Sequence, residues 1–264
     1  MKLCRFVYLQ SETPRIGSLE GELILPFPAG ETLESLTKPL YNEGIPIAEV
    51  RLLSPVTPSK IVCVGRNYRE HAAELGNTLP PEPLLFLKAP SSIVASGDPI
   101  ELPIQSRQVQ HEGELGVVIG RRARDIAPDE DPLSYVLGYT CLNDVTARDL
   151  QQKDVQFTRA KSFDTFCPVG PVLVTDVNPS DLQVTTRVNG EIRQQGRVSD
   201  MAFPVSFLIR YIADIMTLYP GDLIATGTPA GVSSIRHGDV VEVEVNGIGI
   251  LRNQVHDRSQ TKPR

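Results

Sequence analysis

From residue 84 onward, short apolar runs follow one another with few helices between them: "LLFLK", "QVQHEGELGVVIG", "YVLGYTCLND", "GPVLVT", "QVTTRVNG", "DLIATG" and "DVVEVEVNG". Their valine content and the Asn-Gly and Gly-Asp punctuation read as short strands. "IVCVG", 61 to 65, is another buried strand, and "VNGEIRQQG" is a hairpin turn leading into a further one. Helices are sparse. "RNYREHAAEL", 66 to 75, suits two turns ending near Gly76, and "TARDLQQKD", 146 to 154, opens with a capping box of Thr146 and Asp149. "FPVSFLIRYIADIMTLYPGD" is the longest, with a core-facing stripe of Val205, Leu208, Ile212, Ile215 and Leu218, and is expected to stop at Pro220-Gly221. So few helices among irregular strands argue against a doubly wound sheet and an eight-fold barrel. The expected class is mixed, β-rich α+β.

Residues 1 to 54 hold too little apolar material for a robust core, so a small N-terminal subdomain is expected to rest on a main body of 55 to 264. "LLSPVTPSK", 52 to 60, reads as the linker and "HDRSQTKPR" as a frayed tail. The chain has 264 residues, 41% hydrophobic, and 26 lysines and arginines against 32 aspartates and glutamates. That balance argues against nucleic acid as a partner. There is no apolar run of membrane-spanning length and no long apolar leader. Cys4, Cys63, Cys141 and Cys167 are widely spaced in apolar surroundings, as buried thiols in a reducing compartment would be, and no histidine clusters with them to hold zinc. A cytoplasmic protein without a membrane partner is the expectation.

Within "HEGELGVVIG", Glu112 and Glu114 stand two apart where a buried strand should begin. Strand periodicity puts both on one face with Gly116, and His111, Gly113 and Leu115 on the other. Repulsion and desolvation disfavour such a pair unless a cation repays the cost. Asp144, ending "YTCLND", offers a third carboxylate. Three such oxygens suit Mg²⁺ or Mn²⁺, with water and substrate completing the shell. Spacing alone leaves the alternative of a solvated strand edge and a helix cap open. His71 and Glu74, three apart, form either a general base with its orienting carboxylate or an exposed pair on a helical turn.

The blocks "GRNYREHAAE", "FLKAPSSIV", "HEGELGVVIG", "NDVTARDLQ", "AKSFDTFCPVGP", "VNGE" and "GDLIATGTPAGV", in that order over roughly 55 to 255, resemble the fumarylacetoacetate hydrolase family. The resemblance implies a mixed β-roll, a homodimer, and Mg²⁺- or Mn²⁺-dependent work on 2-oxo acids carrying a second carbonyl or carboxylate. It places metal binding on Glu112, Glu114 and Asp144, and the catalytic histidine–glutamate pair on His71 and Glu74. By the same resemblance Gln151 and Thr228 lie beside the substrate.

Lys161 is the expected stabiliser of a developing enolate. Arg148, one helical turn beyond Asp144, is expected to bind substrate by holding the carboxylate of the 2-oxo acid, or else to hold Asp149. The "GTPAG" turn, 227 to 231, lacks the lysine of a phosphate loop and is expected to hold an anion through its amides and Thr228. Arg66 is placed at the mouth, either selecting a distal carboxylate or salt-bridged at the surface. The loop "GNTLPPEP" is expected to order over bound substrate. The resulting expectation is a 2-hydroxyhepta-2,4-diene-1,7-dioate isomerase or fumarylpyruvate-type acylpyruvate hydrolase, with oxaloacetate decarboxylation or tautomerisation as the alternative. A non-catalytic β-rich interaction protein is the rival class. Convergence of Glu112, Glu114, Asp144 and Lys161 in one pocket would separate the two.

Overall fold

A computed structural model describes residues 1–33, 35–36, 39–40 and 44–258. The N-terminal strands are β1 (Lys2–Tyr8), β2 (Arg15–Glu20), β3 (Leu23–Pro26), β4 (Ile45–Pro46) and β5 (Val50–Leu53). The middle of the chain gives β6 (Ile61–Gly65), β7 (Leu84–Lys88), β8 (Ile93–Val94), β9 (Ile100–Leu102), β10 (Val109–Gln110), β11 (Gly113–Ile119), β12 (Val136–Asn143), β13 (Thr146–Ala147) and β14 (Cys167–Val174). The last strands are β15 (Gln183–Val188), β16 (Glu191–Arg197), β17 (Leu223–Ala225), β18 (Val240–Val245) and β19 (Gly249–Asp257). Four α-helices interrupt them among the described residues: α1 (Arg69–Glu74), α2 (Arg148–Lys153), α3 (Thr158–Lys161) and α4 (Val205–Ile215). The architecture is a β-dominated α+β roll.

A twelve-stranded sheet runs β4-β3-β2-β1-β14-β12-β11-β17-β6-β7, with β5 also on β1 and β8 on β14. A five-stranded sheet, β16-β15-β18-β19-β9, packs against it. The central strand β11 is buried on both faces along its whole length. Leu115, Val117 and Ile119 join Val184, Val243, Leu208 and Ile212 in one core cluster. Val118 on the other face packs with Leu142, Leu173 and Leu223. Each such side chain contributes roughly 1.5–3 kcal/mol by leaving water. By contrast β18 alternates, burying Val241, Val243 and Val245 and leaving the intervening residues half-exposed, the period of a strand with one solvated face.

Several local expectations need correction. Thr146 is not an N-cap: it lies in β13, its hydroxyl donates to Asp144 O at 2.9 Å, and Ala147 precedes α2 without a side-chain cap. Asp149 instead accepts from Ser106 Oγ and Arg107 N. Helix α4 ends at Ile215, which is 56% exposed, so Ile209 and Ala213 complete the buried stripe. Leu218 is buried beyond the helix, bridged to Ala123. Leu52 and Leu53 of the expected linker belong to β5, and Val56 is fully buried. Of the expected frayed tail, His256 and Asp257 lie in β19, while 259–264 fall outside the described residues.

The turn between β15 and β16 is as expected, Asn189 and Gly190 both taking positive φ. Hydrogen bonding crosses residue 54 without a break, because β1 pairs with both β14 and β5. The four cysteines are free and buried, and burial pushes the thiols of Cys4, Cys141 and Cys167 up to about 12. No helix among the described residues is long and apolar enough to cross a membrane.

Candidate metal and active site

Segments distant in sequence meet around one cavity of about 300 Å³. Glu114 enters from β11, and Glu112 sits just before that strand rather than inside it. Two hydrogen bonds tie together the backbone segments that carry Glu112 and Asp144: Asp144 N donates to Glu112 O at 2.8 Å, and Glu112 N to Asn143 Oδ1 at 3.0 Å. One ligand oxygen from each of Glu112, Glu114 and Asp144 falls within 4.8 Å of the others, and all three residues are buried. Arg66, His71, Arg148, Gln151, Lys161 and Thr228 line the same cavity, with Leu84, Phe86 and Phe157 as its apolar wall. Glu74 stands behind His71, its Oε2 3.3 Å from Nδ1, and accepts the Gly231 N–H at 3.1 Å.

The charges are closely matched. Lys161 Nζ donates to Glu112 Oε2 at 2.7 Å and to Asp144 Oδ2 at 2.6 Å. Lys88 Nζ, from the end of β7, reaches Asp144 Oδ1 at 2.7 Å, and Arg148 Nη2 donates to Glu112 Oε1. Burial opposes ionisation of Glu112, but Lys161, Arg148 and His71 more than offset it and hold the carboxyl below its ordinary value. Burial likewise works against the Lys161 ammonium, and the Asp144 and Glu112 carboxylates outweigh it and raise its proton affinity. Glu114 is different. It accepts the Gly227 N–H at 2.8 Å, yet no ammonium or guanidinium among the described residues pairs with it. Burial and then the charges of Asp144 and Glu112 push its carboxyl well above the ordinary range.

The model of the family described as "Fumarylacetoacetate (FAA) hydrolase C-terminal" matches residues 60–256. The chain belongs to the fumarylacetoacetate hydrolase family. A Mycobacterium tuberculosis protein is 50% identical over 245 residues, 90% of this chain and 92% of that one. The oxaloacetate tautomerase YisK of Bacillus subtilis is 45% identical over 224 residues, 79% of this chain and 74% of its own. Among solved structures, the 2-hydroxyhepta-2,4-diene-1,7-dioate isomerase of Mycobacterium marinum superposes with a TM-score of 0.87 at 42% identity, covering 98% of this chain and 100% of that one.

In this member of the fumarylacetoacetate hydrolase family the donor set is able to chelate a divalent metal. Its three carboxylates are buried together, and one of them lacks a cation. A hard divalent ion prefers such oxygens and would supply the charge Glu114 is missing. The convergence separates the site from a surface cluster of acids.

Three expectations are corrected here. Arg148, expected on the substrate carboxylate or on Asp149, pairs instead with Glu112 and also donates to Gln110 and Gln151. The "GTPAG" amides serve the protein's own carboxylates, Gly227 that of Glu114 and Gly231 that of Glu74. Thr228 Oγ1 donates to Gly113 O at 2.8 Å and accepts from Gln194 Nε2 at 2.7 Å, so most of its bonding capacity is spent internally.

Two residues escaped the sequence reading. Lys88 had a signal: a lysine ending the apolar run "LLFLK" must find a carboxylate if it is buried, and it is 2% exposed. Gln194 had none. Its Oε1 accepts the Gly113 N–H and lies 3.0 Å from His111 Nδ1, which makes it a brace beneath the carboxylates.

Proposed function

We propose that the chain is a divalent-metal-dependent enzyme that moves a proton at the carbon beside the 2-oxo group of a dicarboxylate. The reading favoured is 2-hydroxyhepta-2,4-diene-1,7-dioate isomerisation or fumarylpyruvate-type hydrolysis. The observation that carries it is the meeting of His71 and Lys161 with Glu112, Glu114 and Asp144 around one cavity. When bound by those carboxylates, Mg²⁺ or Mn²⁺ would supply Lewis acidity towards the 2-oxo acid. Lys161 presents its ammonium where enolate charge develops. His71, 4% exposed, takes or gives the proton, and Glu74 holds its imidazole from behind. Leu84, Phe86 and Phe157, each half-buried, give the cavity an apolar wall.

Arg66 supports a dicarboxylate. Lys161 and Arg148 are committed to Glu112 and Asp144, whereas Arg66 lines the cavity with no ion pair among the described residues. Its backbone takes φ 56°, an unfavourable conformation for a side chain of this size. Gln151 lines the same cavity and adds a proposed substrate contact through its amide N–H, while Thr228 stays bonded to Gly113 and Gln194. A second reading is oxaloacetate tautomerisation, which the similarity to YisK supports, or decarboxylation of the same acid. A cavity of about 300 Å³ has room for the longer acids beside a metal ion.

The test is a steady-state panel in Mg²⁺ with fumarylpyruvate, a hydroxyheptadienedioate, oxaloacetate in enol–keto and decarboxylation assays, and a monoanionic acylpyruvate. The dicarboxylates should exceed the monoanion in kcat/KM by about tenfold or more, and Arg66→Gln should erase that margin. A monoanion preferred over every dicarboxylate would overturn the substrate class. Faster oxaloacetate tautomerisation than turnover of the longer acids would select the second reading.

A further inference from the structure

One buried amide joins the carboxylate cluster to the proposed base. Strand β16 lies at the edge of the five-stranded sheet, and Gln194 is its single buried residue, 1% exposed. A glutamine amide offers two donors and two lone pairs, and here each has a neighbour. Oε1 accepts the Gly113 N–H at 3.0 Å and faces His111 Nδ1 at 3.0 Å. Nε2 donates to Thr228 Oγ1 and to Pro229 O, each at 2.7 Å. The first two partners belong to the chain entering β11 and the other two to the turn at 227–231. One side chain therefore ties that turn to the strand that carries Glu114.

The turn in its own right holds two carboxylates. Gly227 N donates to Glu114 Oε2 at 2.8 Å, and Gly231 N donates to the two Glu74 oxygens at 3.1 and 3.2 Å. Both glycines take positive φ, 99° and 103°, which other residues reach only with strain. The packing leaves little slack. A Cβ on Gly231 would stand 1.9 Å from Arg193 O, one on Gly196 2.6 Å from Pro229 Cβ, and one on Gly227 2.7 Å from Asn67 Cβ. A segment packed this closely shifts as a piece, so a clamp at residues 228 and 229 bears on both amides together. Without Gln194 the buried Pro229 carbonyl loses its side-chain donor, and a buried acceptor left without one is destabilising.

We infer that Gln194 is a positioning residue: through the 227–231 turn it sets the carboxylates of Glu114 and Glu74, and with them the metal site and the His71 imidazole. It does so from behind, since Gln194 does not line the cavity. The inference rests on the reading of Glu114 as a metal ligand and His71 as the base given above. Removing a partner that orients a metal ligand typically weakens metal binding by about 10–100-fold.

Gln194→Met keeps the length of the side chain and removes its polar contacts, and Thr228→Val removes the hydroxyl that Nε2 reaches. Ile212→Ala, in α4, is the control: it lowers stability from a buried position outside the turn and its hairpin. The measurements on the full chain are the Gly227 and Gly231 amide signals in nitrogen–proton correlation spectra without metal, Mn²⁺ affinity by calorimetry, and kcat and KM on the best substrate of the panel above. In Gln194→Met both glycine amides should lose the downfield shift of a bond to a carboxylate. Mn²⁺ affinity should fall at least about tenfold, and kcat should fall by a larger factor than KM rises. Ile212→Ala should melt earlier and leave all of these where they are. Should Gln194→Met fail to fold, Thr228→Val gives the same test through the glycine signals and Mn²⁺ affinity. A folded variant with both glycine signals and Mn²⁺ affinity unchanged, or equal changes in Ile212→Ala, would overturn the inference. An unmodified chain that binds no Mn²⁺ would instead remove the metal reading, and the glycine signals would still decide whether Gln194 places the two carboxylates.

Discussion

Replacing Glu114 by glutamine separates a metal site from a closed network of buried ion pairs. In a network without metal, Glu114 is the member whose charge is opposed by both Asp144 and Glu112, and losing it relieves repulsion. In a metal site it is one of three ligands. The expectation for Glu114→Gln is a folded protein, equally or more stable without metal, with Mn²⁺ binding lost in calorimetric titration. Unchanged Mn²⁺ affinity would remove Glu114 from the ligand set. His111 makes a separate prediction about pH. Burial pushes it down from 6.5 to about 4, against the hydrogen bond of Gln194 and the charges of Glu112 and Glu74, with Arg193 acting in the same direction as burial. Because the folded value lies below the unfolded one, the neutral ring contributes its full stability above about 6.5. That contribution is lost as pH falls towards 4, and the gap corresponds to about 3 kcal/mol. Urea denaturation of metal-free protein between pH 7 and 4 should show the loss, and His111→Gln should flatten it. Parallel curves for the two proteins would mean that another group carries the acid sensitivity.

At the level of elements, the approach of β11 to β15 is what sets the carboxylates in place. Gly113 is the point of closest approach: a Cβ there would stand 2.0 Å from Thr186 Oγ1 and 3.2 Å from Val243 Cγ1. Gly113→Ala must therefore part the two strands, at a cost of about 1–3 kcal/mol, and shift Glu112 and Glu114 with them. Removing the opposing hydroxyl in Gly113→Ala/Thr186→Ala should recover part of the loss in a denaturant melt. A double variant no more stable than the sum of its parts would show that the clash lies elsewhere.

This contact also marks how far the elements could be read in advance. The Glu112–Glu114 spacing, the turn at Asn189-Gly190 and the short helix carrying His71 are local patterns, visible in a few adjacent residues. Gln194 was not visible as a site residue, because what makes it one is a set of partners dozens of positions away; Lys88 carried only the signal of a lysine closing an apolar run, and its partner Asp144 is 56 positions on. The capping box failed for the same reason. The backbone at Thr146 pairs with β10, and that tertiary bond outweighs a local cap. Ile215 kept helical spacing yet faces solvent, since the helix outruns the core it packs on.

Across the whole molecule, the open issue is whether residues 1 to 54 unfold apart from the body. The family match begins at residue 60, as it would if the N-terminal part were an accessory unit. Packing opposes independence. Cys4 and Phe6 share a cluster with Leu115, Tyr139 and Ile224, and Leu3 and Phe27 share another with Val118, Leu142 and Leu173. The sheet also passes from β1 directly into β14. Stripping off residues 1–54 would bare the β14 edge and the apolar faces beside it, which is a template for aggregation. A single cooperative transition is therefore expected in scanning calorimetry, with calorimetric and van't Hoff enthalpies equal at several protein concentrations if dissociation of an oligomer does not intrude. The fragment 55–264 should be insoluble or lack a cooperative melt. An early, separable transition in the full chain, together with a soluble and cooperatively folded 55–264 fragment, would show that the first 54 residues rest on the body as a subdomain instead of forming part of its core.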